Sequence, residues 1–311
     1  MKRLFVAVAA FALAAGIASA QDYNAAVEAF NMGAQTLETN KVEALAQFKS
    51  ALAQFEACEE EDAVEMVAKC KEIIPQTILS IAKEQINNAE YDEAVATLKE
   101  AVEVAKGYGI DEVAADATEL IPNAWSRKGA ALLKAKDFAA AAAAFKEVVA
   151  INPEDGQSQL LLGQALMQAG DNNAAVTALE AAAAAGKAEQ ANKLLSNIFL
   201  KEGMALVKAN KSAEAIEVLE KANTYLENAN AYKLIASANT KLGKSKAAID
   251  AYKKYLEVDP EAKDAADVMF TIAATAQKAG DKNTAIEYYK KLSSNAKYAA
   301  QAAQQLGVLQ K

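Results

Sequence analysis

Apolar residues recur three and four positions apart along most of this chain, the spacing that gathers them on one face of a helix. Between Pro122 and Asp155 the pattern is plain. Trp125, Gly129 and Leu132 mark one stripe, and Ala141 and Phe145 mark a second. Lys136-Asp137-Phe138 interrupts the two, and Pro153 closes the second. The pattern predicts two amphipathic helices joined by a tight turn. It then repeats: Gly163, Ala175 and Leu179 stand 34 residues after Gly129, Ala141 and Phe145. With 4 prolines and 13 glycines in 311 residues, turn residues are too sparse for many short strands.

A 34-residue period built on these residues resembles the tetratricopeptide repeat. Further units follow the same marks. Phe199, Gly203, Leu206, Ala215 and Leu219 form one, and Tyr232, Ala236, Gly243, Ala248, Tyr252 and Pro260 another. Met269, Ala273, Gly280-Asp281, Ala285 and Tyr289 form the last. Upstream, Ile78, Ala82, Tyr91, Ala94 and Leu98 make a unit, and Met32, Ala44, Phe48 and Ala51 a weaker one. The resemblance implies an all-α fold, a right-handed α-α superhelix of about seven helix-turn-helix units, ending in a capping helix. Expected boundaries are 1–20 for a signal peptide, 21–121 for units with extended helices, 122–295 for five regular units, and 296–311 for the cap.

Each mark has a physical reason. Glycine inside a helix costs about 1 kcal/mol against alanine, so Gly129, Gly163 and Gly203 imply a close neighbour. The small residues Ala141, Ala175, Ala215, Ala248 and Ala285 are the expected partners. Gly170, Gly243 and Gly280 stand where a left-handed residue ends a first helix, and Asn210 fills the same place. Pro75 and Pro122 are 47 residues apart, and each follows an isoleucine and an acidic helical stretch. Either first helices extend through these prolines, or separate short helices end at them. The runs Ala139–Ala144 and Ala181–Ala185 read as strong helix former, or as locally soft segments.

Lys2 and Arg3, the apolar run Leu4 to Ile17, and Ala18-Ser19-Ala20 together have the form of a cleaved secretory signal. The apolar run is shorter than the roughly 20 residues a membrane span needs. Export from a bacterial cytoplasm is therefore expected, with the periplasm as destination or with secretion or outer-membrane association beyond it. Net charge is −8, becoming −10 once Lys2 and Arg3 leave, a balance that disfavours nucleic acid. The sequence contains no histidine. That removes the commonest general base and metal ligand, and no phosphate-binding or calcium-binding loop motif occurs. No enzyme activity, cofactor or metal is expected. Glu59-Glu60-Glu61-Asp62 reads as a solvated helix start.

Cys58 and Cys70 are the only cysteines. Disulfide and two free thiols are both open, and a bridge requires an inter-helix turn between them.

The resemblance implies that first helices line a groove that holds a protein partner or an extended peptide. Asn123, Gln157, Asn197 and Asn230 occupy equivalent places there, at spacings of 34, 40 and 33. They form either an amide ladder for a ligand backbone or ordinary residues at helix starts. One turn on stand Ser126, Leu160, Leu200, Lys233 and Phe270, and deeper along it Gln164, Met204, Ser237 and Gln277. Lys134, Lys208, Lys241 and Lys278 recur near first-helix ends, where cations suit the dipole. The places of the family's carboxylate clamp hold Ser126, Ala130 and Leu161, so that activity is not carried over. The expected function is a non-catalytic periplasmic scaffold in envelope assembly or secretion. The alternative, a solute- or glycan-binding envelope protein, suits the sequence less, because the one tryptophan, Trp125, is assigned to the core.

Overall fold

The structure, a computed structural model, describes residues 23–310, so the signal sequence expected over 1–20 lies outside it. Among the described residues there are helices and turns but no strand. The chain divides into two compact units, one up to Lys128 and one from Gly129 onward.

The first unit holds α1 (Tyr23–Thr36), α2 (Lys41–Glu56), α3 (Glu61–Asn87), α4 (Tyr91–Tyr108) and most of α5 (Asp111–Lys134). Helix α3 runs 27 residues through Pro75, and α5 runs 24 residues through Pro122. The extended-helix alternative is therefore the one adopted. Gly107 belongs to α4, and Gly109 alone makes the turn, with φ 74°. The core of this unit gathers Phe48, Phe55, Ile74, Ile78, Leu98 and their neighbours, with Trp125 packed half-buried against it.

The second unit continues with α6 (Phe138–Ile151), α7 (Gly156–Ala169), α8 (Asn172–Ala182), α9 (Ala188–Lys208) and α10 (Ser212–Tyr225). It ends with α11 (Ala229–Lys241), α12 (Ser245–Val258), α13 (Ala265–Lys278), α14 (Lys282–Lys291) and the cap α15 (Ala299–Leu309). Successive helices α7/α8, α9/α10, α11/α12 and α13/α14 pack in pairs, as α1/α2 and α3/α4 do in the first unit.

The glycines inside first helices meet large side chains first, and of the alanines expected only Ala175 comes near, its carbonyl oxygen 3.4 Å from a β-carbon on Gly163. A β-carbon on Gly129 would lie 2.7 Å from the ring of Phe145. On Gly33 it would meet the Phe48 ring at 2.7 Å, on Gly163 Leu179 at 2.6 Å, and on Gly203 Leu219 at 2.5 Å. All four of these large residues are fully buried. Ala141 and Ala215 are buried as well, but four residues earlier on the second helix. Small residues there let the helices approach; the glycine then receives the knob one turn further on. Where the first helix carries alanine instead, the residue in register varies: Leu98 for Ala82, Tyr252 for Ala236 and Tyr289 for Ala273.

The turns inside the pairs share one hydrogen bond. The N–H after the left-handed residue donates to the carbonyl five residues back. Glu90 reaches Gln85, Asp137 Leu132, Asp171 Leu166, Lys211 Leu206, Lys244 Asn239 and Asp281 Ala276, at 2.8–3.0 Å. Asp137, Asp171 and Asp281 then cap the next helix, their carboxylates accepting from the N–H of Ala140, Ala174 and Thr284. Glycine supplies the left-handed residue in three turns and Asn210 in a fourth, but Ala89 (φ 63°) and Lys136 (φ 62°) do so with a β-carbon.

The alanine run at 181–185 carries α8 to its end at Ala182 and leaves helical geometry at Ala185 (φ −87°, ψ 26°). Gly186 (φ 87°) then turns the chain directly into α9. A β-carbon on Gly156 would lie 2.5 Å from the carbonyl oxygen of Ala185. Small residues on both sides let α7 press against this turn.

Of the two alternatives left open for Cys58 and Cys70, the structure forms no disulfide between them. Cys58 lies in the turn before α3, while Cys70 is nine residues beyond Glu61, where α3 begins. That is about 13–14 Å along the helix, well past the ~7 Å between α-carbons that a disulfide tolerates. Cys70 is wholly buried beside Ala63 and Ile74. Burial, with a contribution from the Glu56 carboxylate, pushes its thiol up to about 11.

Three outcomes follow from this packing. Gly129→Ala should lower stability in urea unfolding by about 1–2 kcal/mol, overpacking outweighing its better helix propensity. Adding Phe145→Leu should recover part of that loss, because the pair then matches Ala82 and Leu98. Simple additivity of the two changes would count against the knob-and-glycine contact. Lys136→Gly should raise stability by about 0.5–1 kcal/mol through relief of the left-handed conformation, read by thermal unfolding. Alkylation at pH 8 should modify Cys70 more than about tenfold more slowly than Cys58 until denaturant is added, since the thiolate is the reactive form.

Candidate functional site

The groove residues expected from the repeat register divide between the two units. Asn123 and Ser126 belong to the first, the others to the second. Gln157, Asn197 and Asn230 are exposed, and Asn123 is exposed in its own unit. None of the four is a helix cap. Asp155 and Asn228 cap α7 and α11, while Asn123 and Asn197 sit inside α5 and α9. Gln164 is half-buried and Met204 is 41% exposed.

Leu160 is a correction. It is buried with Leu162, Ala165 and Leu166 in the core of the second unit. The close seating of Gly156 against Ala185 draws α7 inward and covers that position. Leu200 is half-buried against the core cluster that holds Ala215, Leu219, Ala231 and Ile235.

Toward the chain's end the same register positions are tied up internally. Lys233 pairs with Asp264, which also accepts from the hydroxyl of Tyr255. The Lys233 amine, then the Tyr255 hydroxyl, hold the Asp264 carboxyl below the usual carboxylate range. Phe270 stacks on Tyr298 with ring centres 4.6 Å apart. Gln277 accepts from the Tyr289 hydroxyl at 2.9 Å and donates to Gln305 at 2.9 Å. Asp267 accepts from Lys297 at 2.8 Å and from Tyr298 at 3.1 Å. A ligand on this stretch would have to break bonds that the repeats make with one another. Lys134, Lys208, Lys241 and Lys278 do stand in the last turns of α5, α9, α11 and α13.

An open groove lies in the first unit. Two adjoining notches, of about 450 and 240 Å³, run across α1, α3 and α5. Glu72 and Gln76 line both, so the two form one groove. Phe30 and Ile73 floor one end, and Leu79, Ile110 and Val113 the other. Glu112 and Asp116 stand on the rim contributed by α5, and Lys83 on that of α3.

These residues were within reach of the sequence. Gln76, Leu79 and Lys83 stand 47 residues before Asn123, Ser126 and Ala130, the separation of the two helical prolines. The repeat register places them on the same face, and the groove is that face, carried upstream.

Three family models describing the tetratricopeptide repeat match the sequence. One covers 132–198, one covers both 79–156 and 200–266, and one covers 267–296. The chain belongs to the tetratricopeptide repeat family. Residues 23–78 precede these matches, and their helices pair in the same way. No curated protein matches the sequence. Among solved structures, MamA is 22% identical over 57% of this chain and 95% of its own, with a TM-score of 0.32. PilF of Pseudomonas aeruginosa is 14% identical over 76% and 98%, with a TM-score of 0.32. The TPR2AB domain of yeast Sti1, solved with an HSP90 peptide, is 15% identical over 77% and 100%, with a TM-score of 0.30.

As a tetratricopeptide protein this chain presents a face suited to interaction. Among the described residues no cluster of acidic and cysteine side chains could hold a metal ion, and no helix is long and apolar enough to cross a membrane.

Proposed function

We propose that this protein is a non-catalytic scaffold which holds a segment of a partner protein against the α1, α3 and α5 face of its first unit. The observation that carries the reading is the groove itself. It is open and floored with apolar side chains, and among the described residues Glu72, Gln76, Glu112 and Asp116 along it make no side-chain bond within the fold. By contrast, Lys233, Phe270 and Gln277, at corresponding positions from α11 onward, are engaged with neighbouring elements. An extended backbone could use the free amide of Gln76, and side chains could enter the notches on either side of it.

The leader pattern of Lys2, Arg3, the apolar run and Ala18-Ser19-Ala20 supports export, and we place the scaffold in the periplasm, serving envelope assembly or secretion. A glycan-binding role has less support. The large apolar side chains exposed among the described residues, such as Val64, Met204 and Val308, include no aromatic ring on which a sugar could stack.

A photo-crosslinking residue at Gln76 tests the reading, with Ala96, exposed on α4, as the control position. In an envelope extract the full-length protein should yield a discrete adduct with a partner from position 76 and not from 96. Equal labelling from both positions, or none from 76, would sink the groove assignment.

A further inference from the structure

Charge is distributed very unevenly between the two units. Residues 23–128 carry 20 acidic and 9 basic side chains, a net charge of −11. Residues 129–311 carry 20 acidic and 22 basic, a net charge of +2. Almost all the net charge of the chain therefore belongs to the unit that contains the open groove.

The groove shows the same bias. Its larger notch is lined by Glu72, Glu112 and Asp116 against the single amine of Lys83. Four of the unit's 20 acids pair with a lysine of another helix: Glu84 with Lys41 at 3.0 Å, Glu100 with Lys49 at 2.9 Å, Glu56 with Lys71 at 2.9 Å, and Asp92 with Lys128. Lys69, at the smaller notch, is held by Glu65 at 2.7 Å. Among the described residues no cation lies within ion-pair distance of Glu72, Glu112 or Asp116. Three unmatched carboxylates border an apolar floor of Leu79, Ile110 and Val113.

We infer that the occupant of this groove is a basic amphipathic segment of a partner protein, with apolar side chains on the floor and Lys or Arg against Glu72, Glu112 and Asp116. The inference rests on the partner-binding reading and adds the chemistry of the partner. Adjacent helices lie about 8–10 Å apart, so a face three helices wide spans roughly 20 Å. An extended strand rises about 3.3 Å per residue, which sets the bound segment at about six to eight residues. The field of a unit at −11 also draws a basic segment in before contact and repels acidic ones, so encounter rate falls with added salt.

The test uses the full-length protein and a fluorescein-labelled ten-residue peptide with Lys and Leu in a Ser background. Counterparts carry Glu or Gln in place of Lys. Binding is read by anisotropy and by cross-linking from position 76. The Lys peptide should bind at low ionic strength, and the Glu peptide should not. Glu72→Lys/Glu112→Lys/Asp116→Lys should weaken the Lys peptide by at least about tenfold, a loss of ~1.4 kcal/mol. Glu59→Lys/Glu60→Lys/Glu103→Lys changes the net charge equally away from the groove, and should alter binding by less than about twofold. Circular dichroism of both variants confirms that they fold. Equal weakening by the two triple variants would overturn the inference, leaving only generic attraction. If the Gln peptide binds and cross-links as well as the Lys peptide, the inference falls while the groove reading stands. If no peptide of any charge reaches position 76, both fall.

Discussion

Phe145 drives its ring into the space that a side chain on Gly129 would occupy, and the same contact recurs down the chain. Phe48 does so at Gly33, Leu179 at Gly163 and Leu219 at Gly203. The arrangement explains why glycine is retained inside helices despite its propensity cost. It lets one large residue of each of these second helices become fully buried while its own helix stays close to the first. Small residues such as Ala141 and Ala215 set the approach, and the knob one turn later fills what remains. Everything on the outer faces depends on that distance, because it fixes which flank of each first helix is left uncovered.

The two units put this scheme to different ends. In the first, α3 and α5 are lengthened through Pro75 and Pro122, and their uncovered flank carries acids without internal partners. In the second, side chains from one repeat reach those of the next, as Lys233 does with Asp264 and Phe270 with Tyr298. Those links stiffen the array at the expense of a free surface. A family resemblance alone gives each repeat an equal claim to the ligand. The side-chain bonds distinguish the repeats, and they count against the last ones, from α11 onward.

The helix pairs, their turns and their glycines were legible in the sequence because they obey a period. The helix that pairs with a given helix can be named once the register is known. The knob's identity was not legible. Ala141 and Phe145 lie on the same side of α6, and only packing shows which one meets Gly129. Ala89 and Lys136 also escaped notice as left-handed residues, since neither type favours that conformation and position alone gives them away. Leu160 was misplaced because the register describes an average repeat, whereas α7 is drawn in by the Gly156 contact with Ala185. The groove in the first unit was missed for a related reason: a 47-residue spacing hides the register from a search at 34. Cys58 and Cys70 failed to pair because one of them lies well inside a helix, a fact that depends on where α3 begins.

The sixteen-residue separation between glycine and knob has a kinetic consequence. Contacts so near in sequence close short loops, which costs little entropy and favours rapid folding. Each hairpin can lock as soon as its own second helix is available, without waiting for any residue farther along. A chain delivered from one end would thus gain order stepwise, pair after pair, and each finished pair would offer a template for the next. Such a molecule seldom exposes long apolar stretches at once, which limits its opportunity to aggregate while still incomplete.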